Sequence, residues 1–352
     1  MENNRELGSE FSLDSNCLNI KHNNLLEFLS GYSYTLFDSG RSAIKSVPID
    51  RNKFVLLPEY LCESVIKSFP AHKIIFYKIK SNLEIDLNDL MNKIDNKVGT
   101  ILFVNYFGYI QSELITNSIK LKAKRYGITV IEDNTQSLLS KHSIVGDYAV
   151  ASIRKWIPIP NGGVLYSNKH NIKDALSGRN FDNSIDNRKI NALILKHLFL
   201  NEGLDVNLEY RKIFAECEEA FENSNPKYIS DLSEFIIKCF DCDVIIEKRK
   251  QNYKILEKLL FDLDIVPIRE LMDNECPLVL PIRIKQRNSF KSYLMDNKVY
   301  CAVHWPFDGF KSDDRKMAIH NSETLISLPI DQRYNEEDML YLAYIIKKYV
   351  GR

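Results

Sequence analysis

Between residues 54 and 166 the chain repeats one pattern, short β-branched and aromatic runs separated by longer segments, and few architectures accommodate it. Phe54–Leu57, Lys73–Tyr77, Thr100–Asn105, Thr129–Glu132, Ala149–Ile153 and Gly163–Tyr166 read as strands. Between two of them, Gln111–Tyr126 carries apolar Leu114, Ile115, Ile119 and Leu121 among lysines and ends at Gly127, a residue suited to closing a helix. Parallel strands need long crossovers, usually helices, so this order predicts an α/β chain with a largely parallel sheet buried between helical layers. Ligands on such sheets bind beyond the carboxyl ends of the strands.

Further along the pattern changes. Residues 168 to about 225 read as helical and polar, and 231–262 as one or two long helices. Strand-like Cys276–Ile284, a helix over Ser289–Asn297, strand-like Val299–Val303 and a final helix from Glu336 to Tyr349 then predict a smaller α/β region. With 352 residues, room for about two domains, the expected division is 1–238 and 239–352.

Charge narrows the partners. Lys and Arg total 47, Asp and Glu total 47, and the formal net charge is zero, which speaks against nucleic acid or an anionic membrane surface as the main partner. The first twenty residues have neither a basic start nor an apolar run, and the longest apolar stretch, Ile101–Ile110, is too short to span a bilayer. Of seven cysteines only Cys239 and Cys242 lie close together, with no histidine pair to complete a zinc site, so structural thiols in a reducing cytoplasm and no metal are expected.

Three segments carry chemistry. In Asp38–Ile44, Ser39 can cap a helix that Arg41 starts and Gly40 lets the backbone approach closely, either as ordinary capping or as a site where free N–H groups and the helix dipole hold an anion. Thr129–Gln136 is a strand ending in Glu132 and Asp133; a carboxylate there either caps the next helix or suits a cationic ring nitrogen or a metal. In Gly146–Gly163, Lys155 follows an apolar strand and precedes a Pro-containing turn. It is either a surface lysine or a partly desolvated amine, nucleophilic toward a carbonyl.

Together these segments resemble the DegT/DnrJ-type sugar aminotransferases, which depend on pyridoxal phosphate (PLP). The resemblance rests on FDSGRSAI, LLPEYLCESV, ILFVNYFGY, VIEDNTQS, GDYAVASIRKWIPIPNGG, VYCAVHWP and ISLPIDQRYNEEDM, in the family's order from residue 37 to 339. The three-residue step from Ser152 to Lys155 is similar to a shorter RKW-type branch. The resemblance implies PLP fold type I: a large domain with a mostly parallel, mixed seven-stranded sheet flanked by helices, plus a smaller C-terminal α/β domain.

It also assigns roles. Lys155 would hold PLP as a Schiff base and shuttle the substrate proton, and Asp133 would bind the ring nitrogen. Gly40, Arg41 and Ser42, joined by Ser152, would hold the phosphate, with Gln136 a further cofactor contact. The position where family members stack an aromatic ring on PLP falls at Leu61 or Cys62, neither aromatic; Tyr106 or Phe107 can approach instead, and both are equally readable as core residues. Arg154, Tyr106 and His304 are candidate substrate residues; His304 is equally readable as a packed core histidine.

The implied activity moves an amino group from glutamate to the keto group of a nucleotide-linked sugar, for surface polysaccharide or a specialised metabolite, in a homodimer with sites at the interface. Two alternatives are a small ketone without a nucleotide, which would need a shallower and less basic mouth, and a PLP-binding regulatory protein without turnover.

Overall fold

The computed structural model describes residues 6–172, 184–222, 225–306 and 315–351. Its strands in chain order are β1 (Leu7–Gly8), β2 (Ser33–Phe37), β3 (Phe54–Pro58), β4 (Ile74–Tyr77), β5 (Val98–Val104), β6 (Thr129–Asp133), β7 (Tyr148–Ser152), β8 (Gly163–Ser167), β9 (Leu280–Arg283), β10 (Val299–Tyr300) and β11 (Leu325–Leu328). The helices are α1 (Leu25–Phe28), α2 (Gly40–Lys45), α3 (Glu63–Ile66), α4 (Leu87–Lys93), α5 (Glu113–Tyr126), α6 (Ser184–Asn201), α7 (Asn207–Glu222), α8 (Asp231–Lys238), α9 (Cys242–Phe261), α10 (Arg287–Asp296), α11 (Lys316–Thr324) and α12 (Glu336–Val350).

Seven strands form one sheet in the order β2-β8-β7-β6-β5-β3-β4, and β8 alone runs against the others. All seven residues of the inner strand β5 are buried, as a parallel strand covered on both faces requires. This is the mixed seven-stranded, helix-flanked sheet that the resemblance implies. β9 and β11 pair antiparallel in a separate two-stranded sheet, and β1 pairs with β10.

A first apolar cluster surrounds the large sheet. A second gathers Tyr253, Leu256 and Leu260 of α9 with Phe290, Leu294, Ile326, Leu342 and Ile346, and takes in Leu7 from the N-terminal segment. Each such side chain, fully buried, contributes about 1.5–3 kcal/mol over exposure.

The six strands read between residues 54 and 166 are present with ends moved by at most two residues, whereas the Val299–Val303 run yields only the two-residue β10. β2 was not expected: four of its five residues are only half-buried, so the apolar signal is weak, and its partner β8 lies far along the chain. α5 begins at Glu113 rather than Gln111 because the Gln111 side chain is spent on loops, accepting from Ile85 N–H (3.1 Å) and donating to the Leu83 and Val104 carbonyls. It ends as expected on Gly127, at φ 65°.

The stretch 231–262 is two helices, because Asp241 caps α9 by accepting from the N–H groups of Asp243 and Val244. The helical stretch expected from residue 168 corresponds to α6 and α7; its residues 173–183 lie outside the described residues. β9 is shorter than the Cys276–Ile284 run because Cys276 N–H donates to Ser140 Oγ and Leu278 N–H to the Phe107 carbonyl. Cys239 and Cys242 are free and buried, and burial pushes the Cys242 thiol up to about 12. Among the described residues no helix is long and apolar enough to cross a membrane.

Candidate active site

The carboxyl ends of β2, β3, β5, β6 and β7 open onto one cavity of about 420 Å³. Ser39, Gly40 and Arg41 reach it after β2, Leu61 and Cys62 after β3, and Val104 at the end of β5. Asp133 closes β6, Ser152 closes β7, and Lys155 lies in the turn that follows. Because β8 is antiparallel, its first residue, Gly163, pairs with both Phe37 and Ser152 at this same end. A Cβ on Gly163 would lie 2.2 Å from the Ser39 carbonyl carbon and oxygen, so only glycine lets β8 pass the loop into α2.

That loop is held by its own cap. Ser39 Oγ accepts from Ser42 N–H (3.2 Å) and lies 3.0 Å from Ser42 Oγ. Ser42 is thereby buried and turned inward, and it does not line the cavity; Gly40 and Arg41, whose N–H groups have no partner within a helix, do. Gly40 sits against Ser152: a Cβ there would be 3.2 Å from the Ser152 Cβ.

The two acids at the end of β6 part company. Asp133 lines the cavity, and its Oδ1 accepts from Thr135 N–H (2.9 Å). Burial raises its pKa; Thr135 and the Lys155 ammonium work against that rise. Glu132 turns away and is saturated, taking His142 Nε2 (2.5 Å) and Asn105 Nδ2 (3.1 Å) on one oxygen and the N–H groups of Val145 and Gly146 on the other.

The Lys155 turn is clamped from three sides. Ile153 N–H donates to the Gly162 carbonyl (3.0 Å), Trp156 Nε1 to the Thr135 carbonyl (2.9 Å), and Gln332 Nε2 to the Trp156 carbonyl (2.7 Å). The Arg249 guanidinium lies 4.7 Å from the Trp156 ring centre. Lys155 lines this cavity and a second one of about 520 Å³, with its charge felt by Asp133 on one side and His304 on the other. His304 lines the second cavity, its Nδ1 2.8 Å from Ser327 Oγ; burial and then the Lys155 charge push its pKa down to about 3, so the ring is neutral at pH 7.

Gln136 gives the most direct sign of a missing polar partner. Its Oε1 accepts from Phe107 N–H (2.9 Å), while its buried Nε2, on a cavity-lining residue, has no partner among the described residues. Cys62 lines the cavity with its thiol 3.1 Å from Ser64 Oγ. Arg154 lines both cavities, yet its guanidinium is bound by Glu218, which also holds Lys189, and stacks over Phe221. Tyr106 is not at the cavity surface: it is buried, donates to the Tyr60 carbonyl, and packs near Tyr60 and Trp305. Phe107 is likewise buried.

Sequence reading missed Thr135 and Glu218 as cavity residues, while Trp305 and Pro306, next to the candidate His304, line the cavity. Glu218 gave no signal, standing among Glu216, Glu219 and Glu222 on α7.

The sequence matches no protein-family model and no curated protein sequence. In three dimensions the chain is similar to a sugar aminotransferase described as putative, Spr1654 from Streptococcus pneumoniae in its PMP form, with TM-score 0.71 and 13% identity over 99% of this chain and 98% of that one. Helicobacter pylori PseC, an aminotransferase involved in the biosynthesis of pseudoaminic acid, matches with TM-score 0.65 and 18% identity over 99% of this chain and 100% of that one. DesV from S. venezuelae, in complex with a ketimine intermediate, matches with TM-score 0.67 and 13% identity over 93% and 88%. At these identities the likeness establishes architecture, and the chain has the fold type I arrangement shared by these solved aminotransferases.

Proposed function

We propose that this chain is a PLP-dependent aminotransferase that moves an amino group, with glutamate as donor, to the keto group of a nucleotide-linked sugar. The observation that carries the reading is the meeting of Asp133, Lys155, Ser152, Gly40 and the unpartnered Gln136 amide in one cavity, although they come from separate strand ends. The solved neighbours include PLP and PMP forms of Spr1654.

The residues fit the cofactor. A narrow cradle at Gly40 and Ser152, with the N–H groups of Gly40 and Arg41, suits a phosphate. Asp133 lines the cavity, and a cationic ring nitrogen opposite would hold this buried carboxylate ionised. Gln136 Nε2 would donate to a cofactor oxygen. When bound, PLP supplies an electron-withdrawing ring that makes breaking a bond at the amino-bearing carbon feasible at neutral pH. Lys155 Nζ would anchor the cofactor, then take and return the proton at that carbon as general base and acid. Neutral His304 would neither repel nor neutralise the Lys155 charge.

A nucleotide-linked acceptor is favoured over a small ketone by the second cavity. Its lining carries Arg154, Lys155, Arg249, Lys291 and Arg333 against Glu10 and Asp331. We also infer a homodimer; the reading is supported by Leu232 and Phe235, three residues apart and exposed on α8. With PLP added, the protein is expected to show a visible absorbance band that glutamate removes and a keto-sugar nucleotide restores. Restoration by simple ketones at least as efficiently would refute the acceptor, and indifference to glutamate would refute the activity.

A further inference from the structure

The second cavity poses a question of supply: which of its cations is available to a ligand. Arg333 is committed, with two bonds to Asp331 (2.7 and 2.9 Å), further bonds to the Glu10 and Ser9 carbonyls, and rings of Phe11 and Tyr334 beside it. Arg249 is buried, spends its donors on the Leu278 carbonyl (2.7 Å) and Gln332 Oε1 (2.9 Å), and stacks on Trp156. Arg154 is held by Glu218. Lys155 faces Asp133 and His304.

Lys291 remains. It lies on α10, whose Phe290 and Leu294 are fully buried in the second apolar cluster, so the helix that carries it is firmly seated. Half-buried at the cavity wall, Lys291 has no hydrogen bond or ion pair among the described residues; its recorded neighbour is the Cys301 thiol, which burial keeps neutral. The lining carboxylates are occupied elsewhere. Asp331 is tied to Arg333, and the Glu10 charge acts on Arg154, Lys189, Lys196 and Arg333.

We propose that Lys291 is a specificity residue, the one cation of this cavity besides Lys155 with no hydrogen bond or ion pair among the described residues, and that it binds an anionic group of the substrate. This rests on the aminotransferase reading. The anion is a carboxylate of the amino donor or a phosphate of the acceptor; both are compact oxyanions to which an ammonium donates as a point charge.

Calorimetric titration of the PLP-loaded protein with glutarate and, separately, pyrophosphate distinguishes the two. Lys291→Ala is expected to weaken one probe about tenfold, the loss of one charge-assisted hydrogen bond. Lys291→Arg restores most of the affinity, and the exposed control Lys285→Ala changes neither probe. The probe that weakens identifies the anion. Unchanged affinity of Lys291→Ala for both probes, an equal loss in Lys285→Ala, or a loaded wild type that binds neither probe would overturn the proposal. A wild type that shows no cofactor absorbance instead overturns the aminotransferase reading on which it rests.

Discussion

Glu132 and Asp133 are consecutive at the end of β6 and face opposite sides of the sheet: Asp133 enters the cavity, and Glu132 pairs with His142 behind it. Both ring nitrogens of His142 meet acceptors, Glu132 Oε1 and the Ser140 carbonyl (3.2 Å), so only the doubly protonated ring satisfies both. Burial opposes the charge, but the Glu132 bond and charge prevail and raise the His142 pKa above its usual 6.5. For Glu132 burial is likewise outweighed by His142, and the pKa falls below 4.5. A raised histidine stabilises fully below its unfolded value and loses that contribution as pH rises through its folded value; a lowered carboxylate does so above its unfolded value. The pair therefore stabilises most between pH 4.5 and 6.5. His142→Gln should cost about 1–3 kcal/mol in that window and less as pH climbs, checked by thermal unfolding across pH.

Gly163→Ala should be among the most damaging single-methyl changes in the chain. The new Cβ meets backbone of Ser39 and Gly40 at 2.2 and 2.5 Å, so the loop into α2 must move. Overpacking of this kind costs roughly 1–3 kcal/mol, and the displaced loop should also weaken cofactor binding. A fluorescence titration with PLP, alongside a melting curve, measures both.

Asp133→Asn keeps the shape and removes the charge proposed to face the ring nitrogen. Turnover should fall about a hundredfold, a barrier increase of roughly 2.7 kcal/mol, while PLP is retained. Steady-state rates with glutamate and cofactor content by absorbance give the comparison.

Glu218→Gln removes the carboxylate shared by Arg154 and Lys189. Burial raises the Glu218 pKa, but the two cations outweigh it and hold it well below 4.5. The stabilisation is therefore present above pH 4.5 and lost as pH falls. A fully buried pair would cost about 3–5 kcal/mol to break; Glu218 is 46% exposed, so about 1–2 kcal/mol at pH 7 is expected. The difference from wild type in denaturant unfolding should shrink toward zero in acid.

Most of the large sheet and the residues that meet in the cavity were legible in the sequence. Strands such as Val98–Val104 are buried on both faces and are mostly apolar, interrupted only by Gly99 and Thr100. Lys155, Asp133, Gly40 and Ser152 stand at strand ends, where the ordered motifs mark them. What escaped depends on tertiary partners. The half-buried edge strand Ser33–Phe37 is defined by pairing with Gly163–Ser167, and Glu218 is distinguished from its acidic neighbours only by Arg154 and Lys189. Tyr106 was open to either a cofactor or a core reading, and the turn at Phe107, with φ 57°, accompanies a Tyr106 hydroxyl given to the Tyr60 carbonyl in the core.

The central claim is that Lys155 holds the cofactor, and borohydride reduction of the PLP-treated protein followed by peptide mass mapping tests it directly. One pyridoxyl-phosphate increment on the peptide containing Lys155, lost when glutamate is added before reduction, is the expected result. An increment on another lysine, or none at all, would contradict it.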